Sequence, residues 1–130
     1  MGLEEKRAIK AAQDGWLEQR KREIVELTGA SIPYEIDWNT FADDLKGVNW
    51  LEHNGPQQIA IALRQICVDE LGKQAVQEAV KKIVIRNVKS PSQKSVAFAN
   101  GMLELSGNFA EGIAGTVRER EIKECLLKGL

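Results

Sequence analysis

The stretch Ser95-Val96-Ala97-Phe98-Ala99-Asn100-Gly101-Met102-Leu103-Glu104-Leu105-Ser106 specifies a hairpin twice over, once by its turn residues and once by its apolar pattern. Asn100-Gly101 suits a two-residue type I′ turn, in which both central residues take positive φ. Closing strands around that turn sets Phe98 opposite Leu103 and Val96 opposite Leu105. Those four apolar side chains then share one face, and Ala97, Ala99 and Glu104 share the other. A slip of one residue would turn each apolar side chain to the wrong side, so the register is specified along with the turn.

Two further stretches read as strands. Ile32, Tyr34, Ile36 and Trp38 alternate with Ser31, Pro33, Glu35 and Asp37, the period of a strand buried on one face. Pro33 cannot donate to a ladder, which places this strand at a sheet edge. Ile83-Val84-Ile85-Arg86-Asn87-Val88 is rich in β-branched residues and reads as a third strand before the hairpin. Ser90-Pro91-Ser92 is the turn between them.

The remaining segments have helical spacing. Residues 3–28 carry one apolar stripe through Ile9, Ala12, Trp16, Leu17, Ile24 and Leu27, with Gly15 marking a bend and Gly29 a natural stop. Thr40, with Asp43 three residues on, is expected to cap a short helical turn to about Lys46. Pro56 opens a central helix through Ile59, Leu63, Ile66, Cys67, Val68 and Leu71, interrupted at Gly72. A second helix runs from about Lys73 to Lys81. Thr116 and Glu119 form a candidate capping box for a final helix ending at Gly129. Gly107, Gly112 and Gly115 mark the segment before it as a mobile connector. The expectation is a single α+β domain over residues 1–130. It has an antiparallel sheet of about four strands with helices packed on one face, in the order α-β-α-α-α-β-β-β-α.

A hydrophobic fraction of 43% beside 28% charged residues is that of a chain with a packed core, not a disordered one. Eighteen basic residues against nineteen acidic ones leave a formal charge of −1, which removes the generic electrostatic case for nucleic acid or an anionic membrane. No apolar run reaches the roughly 20 residues of a membrane span. The opening Met1-Gly2-Leu3-Glu4-Glu5-Lys6 has no apolar leader region, and Lys6 stands where a myristoylation motif wants Ser or Thr. Cys67 and Cys125 both fall in apolar helical patterns, so reduced thiols in a cytoplasmic protein are expected.

The inventory for chemistry is thin. His53 is the sole histidine and no metal-ligand spacing occurs, so no metal and no cofactor is expected. The adjacent Asp43 and Asp44 are more simply partners of a helix N-terminus than magnesium ligands. Cys67 lies between Ile66 and Val68, where desolvation keeps a thiol inert. Gly107 and Gly112 have the spacing of a phosphate loop, but Ile113 and Ala114 follow where Lys and Ser or Thr belong, and Glu111 repels phosphate. No catalytic residue is therefore assigned.

One segment points to a partner. From Tyr34 to Asn54 there are five acids (Glu35, Asp37, Asp43, Asp44, Glu52) and one base, Lys46, together with aromatic side chains. Trp38, Asp43, Asp44, Trp50, Glu52 and His53 are the candidate binding residues, with Asn49–Gly55 expected as a loop. An exposed Trp beside acids fits a protein-binding hot spot for a basic partner. The plainer reading is that Trp50 and Leu51 plug the core while the acids stay solvated. The bases from Lys81 to Lys94 lack the interleaved aromatics that nucleic-acid stacking needs. The expected role is thus a non-enzymatic adaptor or inhibitor. The alternative is a small-molecule-binding protein or small enzyme, its pocket between sheet and helices, closed by residues 107–115 and anchored by Asp37, His53 or Glu111.

Overall fold

Gly15 divides the first helical stretch. In the computed structural model, which describes residues 2–130, α1 (Leu3–Asp14) and α2 (Trp16–Thr28) meet at Gly15, whose φ of −111° and ψ of −107° break the helical path. The edge position of the Pro33 segment is also found. The strand itself is Tyr34–Ile36 (β1), extended by the Pro33 carbonyl, which accepts from the Ile83 amide at 2.9 Å, and the Asp37 amide, which donates to the Ile85 carbonyl at 2.8 Å. β1 is one outer strand of a four-stranded sheet.

The other strands are β2 (Lys82–Asn87), β3 (Ser95–Ala99) and β4 (Met102–Gly107), in the spatial order β1-β2-β4-β3. The hairpin β3–β4 has the register read from its pattern: Val96 opposite Leu105 and Phe98 opposite Leu103, with Asn100 and Gly101 at φ 54° and 80°. The sheet is not antiparallel throughout. β1 pairs parallel with β2, and β2 pairs parallel with β4, so only β3 runs against its neighbour. The reason lies in the connections. A run of helices separates β1 from β2, which is the crossover that parallel neighbours require. The link after β2 skips one strand position, and β4 folds back into it.

Tyr34, Ile36, Ile83, Ile85, Leu103 and Leu105 make the core face, with Val96 and Phe98 partly buried at its margin. Ile24, Ile59, Leu63, Ile122 and Leu126 from the helices complete that core. The opposite face carries Glu35 paired with Lys82 at 2.7 Å and Arg86 near Glu104 at 3.6 Å. Each buried aliphatic side chain contributes about 1.5–3 kcal/mol, against less than about 1 kcal/mol for an exposed ion pair. The core face therefore holds the register.

Several helix boundaries differ from the sequence expectation. The stretch expected as a loop is part of α3 (Leu45–Asn54), because Asp44 caps it by accepting from the Gly47 amide at 2.8 Å. Thr40 caps nothing; in a 3-10 turn, Trp38–Phe41, its hydroxyl donates to the Asp37 carbonyl at 2.6 Å. The central helix, α4 (Pro56–Ile66), stops before Cys67, and Asp69 caps α5 (Glu70–Ala79) through the Gly72 amide. Gly72 sits in the first turn of α5, where a β-carbon would collide with the Ile66 carbonyl. That early stop leaves Val68 and Leu71 exposed, at 77% and 78%.

The final helix, α6 (Glu119–Gly129), begins three residues after Thr116. Its first amide is taken by Gln58 Oε1 at 3.1 Å, so the cap comes from α4 and not from a local box. The glycine-rich connector is a 3-10 segment, Phe109–Gly115, with Phe109, Gly112 and Gly115 buried.

Candidate functional site

The heptad positions Lys46, Asn49, Trp50 and His53 form the exposed stripe of α3, while Val48, Leu51 and Asn54 turn inward. Leu51 is fully buried, but the Trp50 indole is 49% exposed, so only half of the core-plug reading holds. A β-carbon placed on Gly112 would lie 3.1 Å from Trp50 Cζ3, and Gly112 has a φ of 58°. The indole thus rests on backbone that glycine alone leaves open. Ile113, the next residue, is 72% exposed. The Lys46 ammonium stands 5.9 Å from the Trp50 ring centre.

A buried polar knot fastens the Phe109–Gly115 segment to α3. Asn54 donates to the Trp50 carbonyl at 2.9 Å and accepts from Arg118 at 2.9 Å. Arg118 also donates to Thr116 Oγ1 at 2.7 Å, and Thr116 donates to the Gly112 carbonyl at 2.7 Å. Burial pushes the Arg118 pKa down, with Glu119 opposing. The guanidinium remains a charged donor to Asn54 and Thr116, both almost fully buried. Trp50 and Ile113 are therefore presented from a fixed platform.

A second knot closes the carboxyl ends of the parallel strands. Asn87, the last residue of β2, donates to Asp44 Oδ2 at 2.9 Å and to the Thr40 carbonyl at 3.1 Å. Its Oδ1 accepts from the Phe109 amide at 3.3 Å. Beside it opens a depression of about 470 Å³, lined by Asn39, Thr40, Asp43, Asp44, Asn87, Lys89 and Asn108 among others. None of Asp37, His53 and Glu111 lines it. The space expected between sheet and helices is occupied by core side chains, and the 107–115 segment packs against α3 instead of forming a lid.

The six candidate binding residues do not form one patch. Trp50 and His53 share the exposed stripe, and Asp43 and Asp44 line the depression. Trp38 is half-buried, its ring 6.0 Å from that of Phe41. Glu52 accepts from Arg20 of α2 at 3.1 Å, and Arg20 also reaches Glu23 at 2.9 Å. Burial works against the Arg20 charge, yet Glu23 and Glu52 outweigh it and raise its pKa. Glu35 lies on the open sheet face, where the Lys82 hydrogen bond lowers its pKa.

Ile113, Asn87, Lys89 and Asn108 escaped sequence reasoning. For Asn87 and Asn108 a signal existed, since each follows a β-branched or alternating run and so stands at a strand end. Both cysteines are free. Cys67 is buried, which raises its pKa, and Cys125 is half-buried with its thiol 3.8 Å from the Val96 carbonyl. Among the described residues no three His, Cys, Asp or Glu side chains gather as a metal site, and no helix is long and apolar enough to cross a membrane. No family model, curated protein or solved structure matches the chain.

Proposed function

We propose that this chain works by binding another protein, with Trp50 as the anchor of the contact and Ile113 beside it. The observation that supports this reading is a half-exposed indole resting on buried Gly112 backbone, next to an exposed isoleucine. Tryptophan is the residue type most enriched at binding hot spots, and a side chain already held in place loses little freedom on docking. The Asn54–Arg118–Thr116 knot supplies that rigidity. Of Asp43, Asp44 and Glu52, only Asp43 keeps a carboxylate without a partner among the described residues. The reading therefore rests on the apolar anchor more than on attraction to a basic partner.

The test places a photo-activated cross-linking residue at position 113, and at position 71 as an equally exposed apolar control. Cross-linking in cells of the source organism should join one defined protein at position 113 and not at 71. Trp50→Ala should then weaken that purified partner by at least about tenfold, the lower range for a hot spot. Equal cross-linking at both positions, or an unchanged affinity for the Trp50→Ala chain, would overturn the proposal.

A further inference from the structure

The depression at the carboxyl ends of β1, β2 and β4 belongs to a different part of the molecule from Trp50. In open sheets with parallel strands, ligands gather outside the carboxyl ends, where the chain leaves each strand and loop side chains converge. Here Asn39 and Thr40 follow β1, Asn87 and Lys89 close β2, and Asn108 follows β4. The volume of about 470 Å³ suits a small molecule.

The lining divides into a committed floor and uncommitted walls. Asp44, Thr40 and Asn87 are bound to one another and to the Gly47 and Phe109 amides, which makes the floor rigid. Asn39, Asp43, Lys89 and Asn108 have no side-chain partner among the described residues. Asn108 is the informative one. It is 9% exposed and lines the depression; its backbone amide donates to the Gly115 carbonyl at 2.8 Å, but its side-chain amide makes no hydrogen bond among the described residues. That side-chain amide is not sealed off from solvent, so both its donor and its acceptor capacity are open to whatever enters the depression.

We infer that this depression is a binding site for a small zwitterion of the α-amino-acid type. Two carboxylates, Asp43 and Asp44, stand against one ammonium, Lys89, so the lining favours a ligand bearing an amine over a simple anion. Asp43 receives the amine, Lys89 receives the carboxylate, and the Asn108 amide bonds the ligand between them. Neither the proposed protein contact nor its failure bears on this site, because the anchor of that contact, Trp50 with Ile113, lies outside the lining.

The experiment is a titration of the isotope-labelled chain with each of the common free L-amino acids, read by amide and side-chain NMR shifts. Inorganic phosphate and a simple alkylamine serve as single-charge comparators. At least one amino acid should give saturable shifts at Asn39, Asn87 and Asn108 below about 10 mM, a weak but specific range. Asp43→Asn, an exposed change that leaves the floor intact, should weaken that binding by about tenfold or more. Asn108→Asp should change which amino acid binds best. Absence of saturable shifts with every amino acid overturns the inference, as does equal binding of phosphate or indifference to Asp43→Asn.

Discussion

Replacing Asn87 by Asp tests whether the β2 end is held by its amide donors. The change is isosteric. It keeps the acceptor facing the Phe109 amide but removes the donors to Thr40 and to Asp44, and sets a second carboxylate oxygen at about the 2.9 Å spacing of the lost bond. A hydrogen bond to a charged acceptor is worth about 1.5–3 kcal/mol, and leaving the Thr40 carbonyl unmet costs about 1 kcal/mol more. Like charges that close repel by several kcal/mol at an effective dielectric near about 20, so in the folded state the new carboxyl holds a proton to higher pH than in the unfolded chain. The folded state then binds more protons than the unfolded one between about pH 3.9 and that raised value, and stability falls as pH rises through this window. Urea unfolding followed by circular dichroism should therefore show Asn87→Asp losing about 3 kcal/mol at pH 7 relative to the unsubstituted chain. The gap should narrow toward about pH 4, where the proton restores a donor to Asp44. Adding Asp44→Asn should recover much of the loss, since it exchanges donor and acceptor and Asn still caps a helix. A loss under about 0.5 kcal/mol, or one that is the same at both pH values, would refute the knot.

Tyr34 has a buried hydroxyl with no partner, and burial raises its pKa. Tyr34→Phe should stabilise the chain by about 1 kcal/mol, read as a higher urea midpoint. Because the folded phenol stays neutral past its ordinary value of about 10, the unsubstituted chain should lose stability as pH climbs beyond it, a component absent from Tyr34→Phe. Equal midpoints for both chains at neutral and alkaline pH would count against this. Gly112→Ala puts a side chain at φ 58°, ψ −129° and against Trp50 Cζ3. It should cost about 1–3 kcal/mol and displace the Trp50 indole resonance while leaving those of Trp16 and Trp38 in place. An unmoved Trp50 signal would show that the indole does not rest on this backbone.

Where local chemistry and apolar pattern agree, the sequence alone specifies the structure. The Asn100-Gly101 turn set the hairpin register, Pro33 put its strand at the edge, and Gly15 broke the first helix, each through constraints acting over a few residues. Helix starts were less legible, because Thr40 and Thr116 have the chemistry of caps but their hydroxyls are taken by the Asp37 and Gly112 carbonyls. The amide of Glu119 is met from α4, sixty-one positions away in the chain, and no local window contains that bond.

The binding surface shows the same division. The acids and aromatics between Tyr34 and Asn54 put Trp50, Asp43 and Asp44 in one stretch of sequence but not in one patch, since spacing along a chain says nothing about which partner each side chain meets. Folding gave Glu52 to Arg20 and Asp44 to the Gly47 amide and Asn87, and it brought Gly112, the neighbour of Ile113, to Trp50 from the far end of the chain. Periodicity and turn residues dictate each strand and the hairpin because those depend on neighbours in sequence. The parallel order β1-β2-β4 and the cavity at its carboxyl ends depend on which apolar faces bury together, and that is settled only when the whole chain packs.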